Sequence, residues 1–119
     1  MNEENKMRII AALIITIFFQ TNLLAQETDI KCTDLAGIGR SVMMVRQSGV
    51  PIDKATTLVL NGLKERSPED QKILDPVFRK IVELAYQEKQ FSTNRERIDA
   101  TADFAQTILK RCERRLPRG

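Results

Sequence analysis

The chain contains no histidine and a single tyrosine, Tyr86, among its 119 residues. Without histidine there is no imidazole base, which excludes the standard serine and cysteine triads of hydrolytic enzymes. The sequence also lacks the G-x-S-x-G, S-x-x-K and C-x-x-C motifs and a phosphate-binding glycine loop. An enzyme would have to work with Asp, Glu, Arg and Tyr86 alone, and we therefore expect a protein that is not an enzyme.

Long apolar runs are also scarce. The one pronounced run, residues 9–19 (IIAALIITIFF), has eleven residues, whereas a membrane-spanning helix needs about 20. The run follows the basic residues Lys6 and Arg8 and precedes a cleavage point after Ala25. This layout predicts a cleaved secretory signal peptide over residues 1–25, with a retained N-terminal anchor as the alternative. We therefore expect an exported protein, located in the periplasm or secreted.

The rest of the chain is predicted to form a helical domain over residues 26–116 and a flexible basic tail over 117–119. Apolar residues recur at helical spacing in four segments, at about 29–47, 51–64, 67–89 and 93–116. Because the connections between these segments are short, the pattern predicts an all-α, up-down-up-down four-helix bundle.

Two of the segments carry well-defined apolar stripes. The stripe of the first segment consists of Leu35, Ile38, Val42 and Val45, flanked by Cys32, Gly39 and Met43. The stripe of the last segment consists of Ile98, Ala102, Ala105, Leu109, Cys112 and Leu116. Both stripes are predicted to face the core, and the glycines of the segment GIG (residues 37–39) are expected to allow close packing against a neighbouring helix.

The predicted helix boundaries rest on residues with known terminal preferences. Gly49 can adopt the left-handed conformation that ends a helix, Ser67 is a favourable N-cap, and Thr93 with a glutamate three residues later forms a capping box. Pro76 removes a backbone donor, so the third helix is predicted to be kinked or split there. The preferred interpretation is a fresh helix that is capped by Asp75 and has Pro76 at its first position.

The two cysteines, Cys32 and Cys112, predict one disulfide, because an exported chain with two cysteines has one possible intramolecular pairing. Cys32 lies at the start of the first predicted helix and Cys112 at the end of the last, and these ends share one pole of such a bundle. Separate buried thiols and metal ligands are the alternatives. Two distant thiolates without histidine make a poor zinc site, and we expect neither metal nor cofactor.

Three residues of the first helix are candidate partner contacts: Met43, Met44 and Arg46. Met44 points away from the apolar stripe and, with Met43, could form an adaptable contact surface or be covered by the third helix. Arg46 falls inside the stripe, where it is expected to pair with a carboxylate of another helix or to anchor a ligand.

The last ten residues, KRCERRLPRG, carry five basic residues and one acidic residue, a net charge of +4. The residues of this segment that are candidate contacts with an anionic surface are Arg111, Arg114, Arg115 and Arg118. Basic residues also suit the end of a helix through its dipole, so a solvating role is the alternative. Nucleic acid is not expected as a partner, because no aromatic residues interleave with the charges and export removes the protein from it.

The signal peptide and the segments CTDLAGIGRSVMMVRQSGVPIDKA, IVELAYQEKQ and ADFAQTILKRC resemble a loose group of small exported proteobacterial proteins. Its members share two cysteines, an all-helical pattern and an R-x-x-G ending of the first helix. Here these features correspond to Cys32, Arg46, Gly49 and Cys112, together with the central Ala85–Tyr86. The group has no assigned activity, so the resemblance implies location and architecture alone.

These observations together predict a small exported, non-enzymatic binding or accessory protein of the cell envelope, of the inhibitor, chaperone or stress type. Its expected partner is another envelope protein, with an oligomeric state that the sequence leaves open. The alternative is a protein that binds anionic lipid or cell-wall polymer through its basic C-terminus.

Overall fold

The structure, a computed structural model, describes residues 29–115. That part of the chain holds four α-helices and no strand, which confirms the all-α prediction. The helices are α1 (Cys32–Gln47), α2 (Ile52–Asn61), α3 (Pro68–Tyr86) and α4 (Asn94–Arg115). The predicted signal peptide, Leu116 and the predicted tail over 117–119 lie outside the described residues.

One end of the bundle, which we call the disulfide pole, contains the start of α1 and the end of α4. Cys32 and Cys112 are bonded there, with their Cα atoms 5.5 Å apart, so the predicted disulfide is confirmed. The α2–α3 connection reaches the same pole, because Arg66 contacts Asp29 at 3.0 Å. The chain has therefore reversed direction between α1 and α2, as the bundle prediction requires.

The opposite end, the loop pole, contains the α1–α2 turn (residues 48–51) and the α3–α4 loop (residues 87–93). The Tyr86 hydroxyl at the end of α3 donates to the Val50 carbonyl at 2.6 Å, and the Phe91 amide donates to Gln47 at 2.8 Å. These contacts place both connections at one pole and complete the up-down-up-down order. The most extensive helix contact is between α1 and α4, and α2 packs chiefly on α3.

The face that α1 buries is rotated relative to the predicted stripe. Its buried residues are Cys32, Leu35, Gly39, Val42, Met43 and Gln47. Ile38 and Val45 are only half-buried, although the periodicity predicted them in the core. The rotation brings Gly39 to the seam with α4, where a Cβ atom would lie 2.9 Å from Ile108 Cγ1. The close approach predicted for the GIG segment therefore occurs at Gly39.

The stripe predicted on α4 is wrong at its start. Ile98 is 65% exposed, and the buried residues of the helix are Thr101, Phe104, Ala105 and Ile108. Because Phe104 and Ile108 pack against the bare backbone of Gly39, α4 turns this face toward α1. The rotation moves Ile98 and Ala102 to the edge of the interface.

The helix ends follow the predictions at three places. Gly49 has φ of +84°, Ser67 accepts a hydrogen bond from the Asp70 amide at 3.1 Å, and Thr93 accepts one from the Glu96 amide at 3.2 Å. The left-handed conformation at Gly49 is one that favours glycine.

The preferred interpretation of Pro76 is wrong, because α3 runs without interruption from Pro68 to Tyr86. Asp75 does not cap a new helix; its carboxylate pairs with Arg79 at 2.6 Å. Leu74 and Phe78 are buried on either side of the proline, and this packing holds both halves of the helix on one core. The carbonyl that loses its donor belongs to Lys72, an exposed residue, where water can replace the lost hydrogen bond.

Candidate functional site

Gln47 is the main polar residue of the core and joins α1 to the α3–α4 loop. Its side chain is 3% exposed. Its Nε2 group donates to the Lys89 carbonyl at 2.9 Å, and its Oε1 atom accepts from the Phe91 amide at 2.8 Å. Sequence reasoning missed this residue, because a glutamine at the end of a helix looks like an ordinary surface residue.

Arg46 fastens the same loop from the neighbouring position. Its Nε and Nη2 groups donate to the Glu88 carbonyl at 3.1 and 3.0 Å, and its guanidinium carbon lies 5.1 Å from the Tyr86 ring centroid. The expected carboxylate partner is therefore replaced by a backbone carbonyl and an aromatic face. Burial raises the pKa of the Tyr86 phenol, and the nearby Arg46 charge partly offsets that effect.

The two methionines predicted as one contact surface lie on different sides of α1. Met43 is fully buried in the core, so its side chain contributes nothing to a surface. Met44 is 54% exposed, as the sequence predicted from its angle opposite the stripe. The third helix does not cover it.

Met44 borders a groove on the outer edge of the α1–α4 interface, which we call the α1/α4 groove. It has a volume of about 550 Å³, and its lining includes Arg40 and Met44 from α1 and Arg97, Ile98 and Ala102 from α4. Met44 and Ile98 are two of the four exposed large hydrophobic residues of the described chain. Sequence reasoning found Met44 but not the groove, since it placed Ile98 and Ala102 in the core.

The charges of the α1/α4 groove are all positive. Arg97 donates through Nε to the Phe91 carbonyl at 2.8 Å, whereas the Arg40 guanidinium has no partner among residues 29–115. No aspartate or glutamate lines the groove. The Asp99 carboxylate lies outside it and is 3.8 Å from Arg95, another arginine that does not line it.

A second and larger groove of about 720 Å³, the α1/α2 groove, lies between α1 and α2. Ile38 and Val45, the two half-buried residues of the predicted α1 stripe, form part of its apolar floor, and Leu58 stands exposed at its edge. Sequence periodicity therefore placed in the core four apolar residues that line the two grooves, which are Ile38, Val45, Ile98 and Ala102.

The rim of the α1/α2 groove carries charges of both signs. Arg66 pairs with Asp29 at 3.0 Å and with Asp70 at 3.3 Å. The Arg66 guanidinium lowers the pKa of the Asp29 carboxyl through their hydrogen bond. Asp34, also on this rim, accepts from the Lys31 amide at 2.9 Å as part of the α1 N-terminus. Each of these charged side chains therefore already has a partner within the chain.

The basic residues near the C-terminus are exposed where the structure describes them. Arg111, Arg114 and Arg115 lie on the last turns of α4, close to the disulfide. Arg118, the fourth predicted contact with an anionic surface, lies outside the described residues. The predicted contacts of these arginines with a surface stay predictions.

Three observations on the described residues bear on the kind of site that they can form. Residues 29–115 contain no group of three or more cysteines, aspartates or glutamates arranged to hold a metal ion. None of their helices combines the length and apolar character that a membrane span requires. The disulfide is typical of a non-reducing compartment.

Comparison of the chain with protein-family models, with curated proteins and with solved structures found no match. The fold is small, all-helical and closed by one disulfide, which agrees with the architecture that the sequence resemblance implies.

Proposed function

We propose that this chain is a small exported, non-enzymatic binding or accessory protein that acts on another protein of the cell envelope. An inhibitor, a chaperone or a stress-linked accessory protein would have this form. The observation that carries the proposal is the exposed pair Met44 and Ile98 on either side of the α1/α4 groove. Exposed apolar side chains that border one groove are typical of a contact surface.

The scaffold supports this proposal because both of its poles are fastened. The disulfide joins α1 to α4 at one pole, and Gln47 joins α1 to the α3–α4 loop at the other. A groove between two helices tied at both ends is largely preformed, which lowers the ordering cost of binding. Met44 adds a flexible side chain that adapts to a partner surface.

Crosslinking in intact cells tests the proposal with a matched pair of variants. Met44→Glu places a charge in the α1/α4 groove, and Ile52→Glu places the same charge on an exposed apolar residue that lines neither groove. We expect the parent and Ile52→Glu to crosslink to the same envelope protein and Met44→Glu to lose it, while thermal unfolding shows all three folded. Retention of the partner by Met44→Glu would overturn the proposed surface.

The proposed export is tested separately, by measuring the intact mass of the non-reduced protein from fractionated cells. We expect a soluble envelope species that begins near Gln26 and lacks the two hydrogens released by disulfide formation. A full-length, reduced species in the cytoplasm would contradict export and would remove the envelope partner from the proposal.

A second candidate function is association with an anionic envelope surface through the basic C-terminus. It is supported by the exposure of Arg111, Arg114 and Arg115 on adjacent turns at one end of α4. Deleting residues 114–119 should then release the protein from anionic vesicles at low salt, because the attraction is electrostatic and screened. Unchanged partitioning of the truncated chain would eliminate this candidate.

A further inference from the structure

The geometry points to an acidic, amphipathic helical segment of a partner protein as the occupant of the α1/α4 groove. This inference rests on the proposed function and deepens it, since it names the chemistry of the partner segment. An apolar side chain of that segment would enter between Met44 and Ile98, and its carboxylates would pair with Arg40 and Arg97.

The apolar centre of the groove supplies the anchor position. Met44 and Ile98 are 54% and 65% exposed, and Ala102 leaves space beside them because its side chain is short. Burying two such side chains against a leucine removes their apolar surface from water, which is the main favourable contribution to helix-in-groove recognition.

The two arginines of the groove indicate that the partner segment carries negative charge. Gln47 and Arg97 both bond to Phe91, so Arg97 lies beside the last turn of α1. Arg40 lies about two turns earlier on α1, roughly 11 Å along the helix axis. The groove thus has an arginine toward each end and no carboxylate in its lining. A helical segment with acidic residues two turns apart matches this spacing.

The same charges argue against a second copy of the chain as the occupant. A two-fold interface places the same patch of both copies in contact, which here would bring the arginines of one groove, Arg40 and Arg97, close to those of the other. No acidic residue of the groove would neutralise them. The α1/α2 groove differs because its rim residues Asp29 and Arg66 already pair with each other.

Binding of a designed peptide tests the inference directly. The probe is a lactam-bridged, fluorescent amphipathic helix that carries two glutamates two turns apart and a leucine midway, titrated with the purified oxidised chain. We expect binding that rises as salt is lowered and weakens roughly tenfold when both glutamates become glutamine, because two exposed charge pairs are lost. A leucine-to-serine probe should bind more weakly still. Equal binding of the glutamate and glutamine probes would overturn the inference.

Charge-reversal variants locate the contact. Arg40→Glu should weaken binding of the acidic probe roughly tenfold. Arg95→Glu is the matched control, since it makes the same charge change on an exposed arginine outside the groove and should have a much smaller effect. Equal weakening by both variants would show attraction to net charge alone and would contradict a groove site.

Two further outcomes would also overturn the inference. The first is a concentration-dependent dimer in sedimentation that Met44→Glu abolishes, since the groove would then be occupied by a second copy. The second is displacement of the acidic probe by anionic vesicles and not by an excess of unlabelled probe. The crosslinking test of the proposed function gives a separate result, because it asks whether another envelope protein contacts Met44, whatever the charge of that protein.

Discussion

The two poles of the bundle are fastened by different kinds of interaction. At the disulfide pole one covalent bond joins residues separated by 80 positions in sequence. At the loop pole the side chains of Arg46, Gln47 and Tyr86 reach the backbone of the two connections by hydrogen bonds. A cross-link acts mainly by restricting the unfolded chain, whereas these hydrogen bonds exist only in the folded one. The first pole should therefore respond to redox conditions, and the second to single side-chain substitutions.

The non-covalent contacts at the disulfide pole do not replace the bond. Arg66 contacts Asp29 there, but the Asp29 side chain is 86% exposed. Exposed ion pairs contribute little to stability, because water and salt screen them and both side chains lose freedom. The difference between the poles therefore depends on whether the covalent bond contributes more stability than the partly buried hydrogen bonds of the loop pole.

Removal of both cysteines is expected to have the largest effect. The double variant Cys32→Ala with Cys112→Ala should lower the free energy of unfolding by about 4 kcal/mol, because the unfolded chain gains the entropy of an 80-residue loop. Urea unfolding measures this change.

The reduced parent is the control for that variant, since it keeps both side chains and lacks only the bond. Its free energy of unfolding should fall by nearly the same amount. If reduction leaves the unfolding midpoint unchanged, the covalent bond does not stabilise the disulfide pole and the contrast between the poles fails.

Gln47→Met is expected to have the next largest effect. Methionine has nearly the volume of glutamine but leaves the Lys89 carbonyl and the Phe91 amide without their partners. The expected loss is about 2 kcal/mol, the cost of two unsatisfied groups at a partly buried site. Hydrogen exchange should show faster exchange of the Phe91 amide, while the core amides of α3 change only with the global stability.

Gln90→Ala is the matched control at the loop pole. The Gln90 side chain is exposed and makes one long hydrogen bond of 3.4 Å to the Gln47 carbonyl. Its replacement should change the unfolding midpoint very little. A loss as large as that of Gln47→Met would mean that the loop as a whole, rather than the buried amide, holds this pole.

The disulfide pole was predictable from sequence and the loop pole was not, for a physical reason. Cys32 and Cys112 have one possible pairing, and helix order places them together. Hydrogen bonds from Gln47 to the backbone depend on where the α3–α4 loop lies, which no residue pattern encodes. Arg46 illustrates the middle case, because its position predicted a pairing with a carboxylate of another helix and the structure gives it the Glu88 carbonyl instead.

The candidate site also has one part that the sequence predicts and one part that depends on how the helices pack. Helical periodicity identified Met44 as outward-facing, and the structure agrees. It placed Ile98 in the core, because a repeat of three and four residues defines a stripe but not the rotation of the helix about its axis. That rotation is set by the contact of Gly39 with Ile108, which is a property of two helices together. The groove is therefore visible only in the assembled bundle.

Gly39→Ala tests the close contact between α1 and α4, which lies between the two poles. The new Cβ would lie 2.9 Å from Ile108 Cγ1, so α1 and α4 would have to separate or Ile108 would have to shift. The expected loss is about 1–2 kcal/mol, after the better helix propensity of alanine offsets part of the overpacking cost. Thermal unfolding measures it.

Gly37→Ala is the control with the opposite expected sign. A Cβ at this exposed position meets nothing within 4 Å, so the substitution should stabilise the chain by about 0.5–1 kcal/mol through helix propensity. Destabilisation by both substitutions to the same extent would mean that the close approach at Gly39 does not determine how α1 packs on α4.

The last substitution concerns Tyr86, for which we expect a small effect on stability. It is the only tyrosine of the chain, so its absorbance reports on the loop pole alone. Burial raises the pKa of its phenol, and the hydroxyl donates to the Val50 carbonyl at 2.6 Å. Since the folded-state pKa lies above the unfolded value, this contribution to stability is complete below a pH of about 10 and is lost as pH rises through the folded pKa.

Ultraviolet titration of the folded parent should therefore place the Tyr86 pKa above that of the urea-unfolded chain. Tyr86→Phe should lower the free energy of unfolding by about 1 kcal/mol at neutral pH, through loss of the hydrogen bond to Val50. The variant should then lose less stability than the parent as the pH rises. The difference between their free energies of unfolding therefore becomes smaller. Both chains retain the disulfide, which holds the other pole constant in this comparison. A folded-state pKa at or below the unfolded value would mean that water reaches the phenol, and that the loop pole is less tightly closed than its hydrogen bonds indicate.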